Sequence, residues 1–195
     1  MQTRSVKGFD VYHGDAIESF HALANAEMQF GFCKASQGAA MTDPAFADYW
    51  QRMKEVGMIR GAYHFFTPDA DALTQVKHFL SLVKLEPGDL PLVLDIETAG
   101  DKIGAKAFVA ASEIKKQTGY WPIIYSGDSF FQANLLHYFP PAGHTLWIAR
   151  YGHPPVTPCA FWQNSDAGQV PGISHAIDTN LFKGTIEQLK ALCVA

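Results

Sequence analysis

The sequence is poor in the features that mark special classes of protein. It has three cysteines in 195 residues, and Cys33, Cys159 and Cys193 are far apart in apolar sequence. An odd and scattered set predicts small buried side chains, not a disulfide framework or a zinc site. The sequence also has no internal repeat and no linker, so we expect residues 1–195 to form one domain.

Long apolar runs and basic clusters are missing as well. No run reaches the 18 or more residues of a membrane-spanning helix, and the first residues lead into a strand-like segment without a visible export signal. A net charge of −4 without a basic run disfavours nucleic acid or an anionic membrane as the main partner. With 48% hydrophobic and 17% charged residues, the composition is that of an ordinary globular domain.

Short β-rich runs alternate with helical stretches, a pattern typical of βαβ units around a parallel sheet. Five strands are predicted first, at residues 6–11, 30–35, 59–66, 90–97 and 123–126. Helices are predicted at about residues 15–27, from Asp43-Pro44 onwards, from Asp69 onwards, and at 104–118, where Gly119 is suited to end the helix.

The last third of the chain has a different pattern. Three strands are predicted at residues 145–151, 160–164 and 176–181, and the Pro- and Gly-rich loops between them are too poor in helical pattern for full crossovers. A helix at about 185–192 follows. Five βα units followed by three strands predict an α/β fold, a modified TIM-like barrel with eight strands.

Polar residues end most of the predicted strands. Asp95 and Glu97 close an apolar run, and because strand side chains alternate between faces, both would point the same way with Cα atoms about 6.6 Å apart. The other strands end in Asp10, Lys34, Ser36, His64, Tyr125, Arg150, Gln163, Asp178 and Asn180. One such residue is more often a cap or turn former, but in a barrel of βα units these ends share one rim. Their joint placement predicts a site there.

Two carboxylates at this spacing are typical of glycosidases. One stays ionised and stabilises a sugar cation, while its charge and apolar surroundings keep a proton on the other. For an isolated Asp-x-Glu, the simpler interpretation is a strand that ends in solvent with two acidic caps.

Short motifs recur in order from about residue 8 to about residue 182: Gly8-Phe9-Asp10-Val11, Lys34-Ala35-Ser36, Gly61-Ala62-Tyr63-His64-Phe65, Leu94-Asp95-Ile96-Glu97, Tyr125-Ser126, Leu146-Trp147-Ile148-Ala149-Arg150-Tyr151, Trp162-Gln163, Gly172-Ile173 and Asp178-Thr179-Asn180. This ordered set resembles the family-25 glycoside hydrolases, lysozymes that act as N-acetylmuramidases. The resemblance implies a barrel of five βα units plus three strands. It also implies cleavage of the β-1,4 bond between N-acetylmuramic acid and N-acetylglucosamine in peptidoglycan.

The resemblance also implies residue roles. Glu97 matches the general acid/base, Asp95 the second essential carboxylate, and Asp10 and Asp178 two further acidic positions of the site. We expect apolar neighbours and the three other carboxylates to keep Glu97 protonated and Asp95 to stay ionised. Asp95 is then either the nucleophile or the residue that orients the 2-acetamido group of the substrate for substrate-assisted attack, and both routes predict retention of configuration.

The chain departs from the family pattern at two positions. Gln37 stands where Lys-Ala-Ser is often followed by Glu, which removes one charge from the rim. Asn164 follows Trp162-Gln163 where an aromatic residue is common, and this change is expected to weaken one sugar-stacking subsite.

Aromatic, amide and cationic side chains complete the predicted site. Strand alternation places Tyr63 with Phe65 on one face and Trp147 with Tyr151 on another. The full set expected to contact substrate is Asp10, Lys34, Tyr63, Phe65, Tyr125, Trp147, Tyr151, Gln163, Asp178 and Asn180. Packing in the barrel core explains Phe65 and Trp147 equally well, and His64 is expected to be a structural hydrogen-bonding residue.

Three other functions fit parts of the pattern. A chitinase-type barrel also ends its fourth strand in Asp-x-Glu, but it has a further Asp where this chain has Val93. The four carboxylates would also suit Mg²⁺ or Mn²⁺, although we expect no metal and no other cofactor. A glycan-binding barrel without turnover would have no need of a proton donor.

The expected partner is the glycan strand of peptidoglycan, cleaved outside the cytoplasm by a monomer. We expect no nucleic-acid partner and no membrane insertion. Without a visible export signal, delivery would follow phage lysis, a secretion system or removal of a leader, and an injected effector would require an immunity protein.

Overall fold

A computed structural model describes residues 5–195. The strands are β1 (Val6–Val11), β2 (Met28–Gln37), β3 (Met41–Thr42), β4 (Ile59–Phe65), β5 (Val93–Asp95), β6 (Ile123–Gly127), β7 (Leu146–Ala149), β8 (Phe161–Gly168) and β9 (Ile177–Phe182). The helices are α1 (Phe20–Asn25), α2 (Phe46–Glu55), α3 (Ala72–Leu82), α4 (Ile103–Thr118), α5 (Asp128–Asn134) and α6 (Ile186–Lys190). None of these helices is long and apolar enough to cross a membrane.

Eight strands close into one barrel. Their order is β1, β9, β8, β7, β6, β5, β4 and β2, and β1 pairs with β2 to complete the ring. β9 runs antiparallel to both β1 and β8, whereas the other barrel pairs are parallel. β3 lies outside the barrel, antiparallel to the end of β2. The predicted barrel of five βα units followed by three strands is confirmed.

Large aromatic side chains fill the inside of the barrel. Phe30 and Phe32 of β2 are fully buried there, and the ring of Phe32 stacks on Trp147 with centroids 4.2 Å apart. Glycines on the neighbouring strands give these rings room, because a Cβ at Gly8 or Gly61 would lie 2.4 Å from a phenylalanine ring carbon. Each buried aromatic side chain stabilises the fold by about 1.5–3 kcal/mol. This packing provides a rigid floor below the carboxyl ends of the strands.

Three predicted helix starts were wrong. The first helix begins at Phe20 and not near Asp15, because the Oγ of Ser19 caps it by accepting from the Ala22 N–H. The helix expected from Asp43-Pro44 begins at Phe46, since Oδ1 of Asp43 accepts from the Ala45 N–H in the turn before it.

The third helix follows Asp71 and not Asp69, and the Asp71 carboxylate accepts from the Thr74 N–H. The fourth predicted strand is shortened to Val93–Asp95, while the seventh, predicted at residues 160–164, extends to Gly168. Two short elements, β3 and α5, were not predicted. The end of α4 at Gly119, in the left-handed conformation, is confirmed.

A β-bulge at Ala35 changes which way the end of β2 faces. Lys34 pairs with Tyr63 and Ser36 with His64, so β2 carries one extra residue between the two pairs. Beyond the bulge, Ser36 points outwards, and its Oγ lies 2.8 Å from Nδ1 of His64. A bulge reverses the alternation of the residues that follow it.

His64 connects this bulge to α3. Its Nε2 lies 3.2 Å from Oε1 of Gln75, which can only accept, so Nε2 carries the proton and Nδ1 accepts from the Ser36 hydroxyl. The amide of Gln75 donates in turn to the carbonyl oxygens of Thr67 and Ala70. All three side chains of this relay are fully buried, so the expected structural role of His64 fits its contacts.

We predict that His64 makes the fold sensitive to acid. Burial lowers the pKa of His64 to about 4, whereas the unfolded chain titrates near its usual value of 6.5. As the pH falls below about 6.5, the unfolded state binds a proton first, and stability decreases by up to about 3 kcal/mol by pH 4. Urea unfolding of the wild type and of His64→Gln at pH 7 and pH 4.5 measures this effect.

His64→Gln should be less stable at pH 7 but should lose much of the pH dependence. His21→Gln, which changes an exposed histidine of α1, is the matched control and should keep the wild-type dependence. Equal pH dependence in all three proteins would contradict this role of His64.

Candidate active site

The carboxyl ends of the barrel strands surround a pocket of about 270 Å³. Its lining consists of Asp10, Tyr12, Lys34, Tyr63, Phe65, Asp95, Glu97, Tyr125, Trp147, Gln163 and Asp178. All residues predicted to be catalytic or to contact substrate therefore line the pocket except Tyr151 and Asn180, whereas the strand-end residues Ser36, His64 and Arg150 do not line it. Tyr151 and Asn180 contact lining residues by hydrogen bonds.

β5 brings Asp95 and Glu97 to the same side of the barrel. Asp95 is the last residue of β5, lies between Phe65 and Tyr125 of the neighbouring strands, and is 6% exposed. The intervening Ile96 is fully buried on the opposite face, and its N–H donates to the Tyr125 carbonyl oxygen at 3.0 Å. Glu97 therefore keeps the alternation of the strand although it lies beyond the strand end, and it is exposed at the pocket edge.

Both carboxyl groups have raised pKa values. Burial raises the pKa of Asp95 well above its usual value, the charge of Glu97 raises it further, and Lys34 opposes the shift. Partial burial raises the pKa of Glu97, and Lys34 again opposes the shift. Oδ1 of Asp95 is buried and has no hydrogen-bond partner among residues 5–195.

These findings correct two expectations. The raised pKa of Glu97 was predicted, and burial is its main cause as expected, but the expected further contribution of the neighbouring carboxylates is absent. Asp95 was expected to stay ionised, yet its deep burial favours the neutral form, and Lys34 is the neighbour that favours its charge. The pKa values of this pair therefore depend on desolvation, on the charge of Glu97 beside Asp95, and on the Lys34 ammonium group.

Asp10 is held by two amide side chains. Nε2 of Gln163 donates to both carboxylate oxygens at 2.9 and 3.0 Å, and Nδ2 of Asn180 donates to Oδ2 at 2.6 Å. The orientation of Asn180 is fixed from its other end, where Oδ1 accepts from the indole N–H of Trp147 at 2.7 Å. Burial and the charge of Asp178 raise the pKa of Asp10 well above its usual value, and the hydrogen bonds from Gln163 and Asn180 oppose this shift.

Gln163 also connects Asp10 to the tyrosines of the rim. Its Oε1 accepts from the hydroxyl groups of Tyr125 at 2.8 Å and Tyr151 at 3.1 Å. Its Nε2 lies 3.3 Å from Oδ2 of Asp178, which faces Asp10 across β1 and β9. Burial and the charge of Asp15 raise the pKa of Asp178 to about 6.

Tyr12 was not among the predicted site residues. This residue lines the pocket, is 43% exposed, and follows β1 with the same facing as Asp10. The alternation that paired Asp95 with Glu97 also applies to Asp10 and Tyr12, so the signal was present. Asn164, by contrast, does not line the pocket.

Trp147 was expected either to contact substrate or to pack in the barrel core, and its position is compatible with both. It is 2% exposed and stacks in the barrel core, yet its edge lines the pocket.

Within residues 5–195, no group of three or more His, Cys, Asp or Glu side chains is arranged to hold a metal ion.

Comparison with known proteins shows what the chain is similar to. The profile of the family described as Glycosyl hydrolases family 25 matches residues 9–173. The chain is 28% identical to a lysozyme from Streptomyces coelicolor whose crystal structure superposes with a TM-score of 0.88, covering 98% of each chain. A family 25 glycosyl hydrolase from Bacillus anthracis superposes with a TM-score of 0.87 at 27% identity, covering 97% of this chain and 94% of that one.

Two further proteins are similar in sequence to the chain. An uncharacterized protein of Escherichia coli, YegX, is 42% identical over 173 residues, which is 84% of this chain and 62% of that protein. The lysozyme from Streptomyces globisporus is 30% identical over 213 residues, covering 97% of this chain and 72% of the relative. The chain thus spans about 62% of the length of its Escherichia coli relatives.

We predict that Asp95→Asn does not destabilise the protein at neutral pH. The raised folded-state pKa means that ionised Asp95 costs stability once the pH exceeds its usual unfolded value near 3.9. A neutral amide removes this cost, so the variant should be as stable as the wild type or more stable, by on the order of 1 kcal/mol at pH 7. The gain should shrink towards pH 4.

Urea unfolding at pH 7 and pH 4 tests this prediction. A loss of about 1 kcal/mol or more at pH 7 would instead indicate that Asp95 acts as a strand cap.

Proposed function

The chain belongs to family 25 of the glycosyl hydrolases, and from this membership we propose that it is a peptidoglycan hydrolase of the lysozyme type. The proposed bond is the β-1,4 linkage between N-acetylmuramic acid and N-acetylglucosamine. The observation that carries the proposal is the pair of carboxyls with raised pKa, Asp95 and Glu97, in one pocket at the carboxyl ends of the barrel strands. We further propose that residues 1–195 form a single catalytic domain.

Glu97 is the proposed general acid/base. A donor has to reach the glycosidic oxygen and exchange protons with water in each turnover, and Glu97 is exposed at the pocket edge whereas Asp95 is buried. Its raised pKa keeps a proton available at higher pH than an ordinary glutamate would. After donation, the carboxylate of Glu97 is stabilised by Lys34.

Asp95 is the proposed second carboxylate at the pocket floor. Its buried Oδ1 is an acceptor without a partner within the described chain, and an N–H group of the substrate would supply that partner. This contact suits orientation of the 2-acetamido group in substrate-assisted attack. Direct nucleophilic attack by Asp95 uses the same atom, and both routes retain the anomeric configuration.

The remaining residues are proposed to bind the glycan. Charged, amide and hydroxyl groups provide hydrogen bonds, and aromatic rings provide apolar faces for sugars: Asp10, Lys34, Tyr63, Phe65, Tyr125, Trp147, Tyr151, Gln163, Asp178 and Asn180. The glycan strand is the proposed partner, and the cell wall is the proposed site of action. A monomeric state stays a prediction.

Digestion of purified cell walls tests the function. We expect loss of turbidity with release of reducing ends, and mass spectrometry of the products should find N-acetylmuramic acid at those ends. Reducing N-acetylglucosamine would indicate a different bond, and solubilisation without reducing ends would contradict a glycosidase. Activity that survives a chelator would remove the alternative of a divalent-metal hydrolase.

We predict that Glu97→Gln lowers turnover at least about 100-fold, because the amide keeps the shape of the side chain but cannot donate a proton. Rates of reducing-end release and melting temperatures are the measurements. Glu55→Gln, on the exposed face of α2, is the control and should keep wild-type turnover. A Glu97→Gln variant with more than a tenth of wild-type turnover would remove Glu97 from the role of donor.

We predict that Asp95→Asn also loses turnover by at least about 100-fold, because an amide can neither act as a nucleophile nor take on the negative charge that a developing sugar cation and Lys34 favour on Asp95. Because the same change should not reduce stability at pH 7, this one variant should lose activity while it keeps its folded structure. Binding of glycan fragments, measured by calorimetry, should persist. An active Asp95→Asn variant would contradict the proposed role.

A further inference from the structure

The bulge at Ala35 brings Lys34 and Gln37 to the same face of β2. In a regular strand, residues three apart point to opposite faces. Because the bulge adds one residue to β2 at Ala35, the alternation shifts by one position after it. Lys34 therefore pairs with Tyr63 and Gln37 pairs with Phe65. Tyr63 and Phe65 both line the pocket, and therefore Lys34 and Gln37 lie on the pocket side.

Lys34 is fixed in this place by two contacts. Its Nζ donates to Oε1 of Gln37 at 2.7 Å and lies 4.8 Å from the centroid of the Phe65 ring. The outward side of the bulge is fixed as well, because the relay through Ser36 and His64 anchors it to α3. The ammonium group is thus oriented by the strand end itself.

Lys34 carries the one positive charge among the residues that line the pocket. Four carboxyl groups share this lining: Asp10, Asp95, Glu97 and Asp178. Burial lowers the pKa of Lys34, and Asp95, Asp43 and Glu97 raise it. Lys34 in turn lowers the pKa values of both Asp95 and Glu97.

We propose that Gln37 is a positioning residue that fixes the ammonium of Lys34 beside the Asp95 and Glu97 carboxyls. Because Gln37 is neutral, it orients Lys34 without cancelling its charge, and the full charge acts on the catalytic pair. A carboxylate at residue 37 would instead pair with Lys34 and reduce its effect on Glu97. This inference rests on the proposed hydrolase function of the same site.

The titratable groups near Lys34 and Glu97 come from several parts of the barrel. Around Lys34 lie Asp43, Asp95, Glu97 and the neutral His64, and Glu97 also acts on Asp178, Tyr125 and Tyr151. None of the others is a cation. Loss or displacement of Lys34 should therefore leave Glu97 among acidic groups alone, and its proton should be released at higher pH.

The test is a double-mutant cycle with Lys34→Met, Gln37→Met and the double variant. The measurement is kcat/KM on solubilised glycan chains against pH, since its alkaline limb reports loss of the donor proton in the free enzyme. We expect the limb to move to higher pH by about one unit in Lys34→Met, and by a smaller amount in Gln37→Met. In the double variant the limb should coincide with that of Lys34→Met, because Gln37 acts through Lys34.

Gln37→Glu provides a variant of almost unchanged shape in case the methionine variants fail to fold. It should also move the limb to higher pH. An unmoved limb in a folded Gln37→Met or Gln37→Glu variant would overturn the inference, and so would a Gln37→Met shift of equal size with and without Lys34.

A wild type that releases no reducing ends would instead contradict the proposed function. In that case NMR titration of the Glu97 carboxyl carbon in the same four proteins still tests the inference, because it requires no turnover. A Glu97 midpoint that is unchanged by Gln37→Met would then overturn it.

Discussion

A buried carboxyl at the mouth of the barrel has to be satisfied by its neighbours, and the architecture of the site depends on how Asp10 meets this constraint. A buried charge without partners costs several kcal/mol. Asp10 receives three N–H contacts from Gln163 of β8 and Asn180 of β9. Those amides are oriented by Trp147 of β7 and Tyr125 of β6. One carboxyl thus ties together the strands on the side of the barrel where the regular βα pattern stops.

Asp95, on the other side of the pocket, lacks the hydrogen-bond donors that Asp10 has. It is as deeply buried as Asp10, but its Oδ1 has no partner in the described chain, and Lys34 is the neighbour that favours its charge. Unsatisfied buried polar groups are uncommon in folded proteins and concentrate where a ligand completes them. The contrast separates the two acidic residues: amide donors fix Asp10 in the wall of the pocket, whereas Asp95 has an acceptor oxygen without a hydrogen-bond partner among the described residues.

Much of the site was predictable because it follows from alternation along strands. Asp95 and Glu97, Tyr63 and Phe65 obey this rule, and the chain places them as expected. The helix starts near Asp15, Asp43 and Asp69 were misplaced because acidic residues in these turns resemble helix caps in sequence. The bulge at Ala35 was not predictable either, since it is stabilised by His64 and Gln75 from elements distant in sequence. Contacts between residues that are distant in sequence leave no local sequence pattern from which the bulge could be predicted.

The loop that replaces a crossover helix after β7 is ordered by a polar contact. Asp128 at the start of α5 accepts from the backbone N–H groups of Val156 and Thr157 at 2.8 and 3.1 Å, and from the Thr157 hydroxyl at 2.6 Å. Burial opposes the charge of Asp128, but these hydrogen bonds outweigh it and lower the pKa of the carboxyl. Tyr151 lies in this loop, 47% exposed, with its hydroxyl on Gln163. The loop anchored by Asp128 thus carries Tyr151, whose hydroxyl donates to the same Gln163 side chain that holds Asp10.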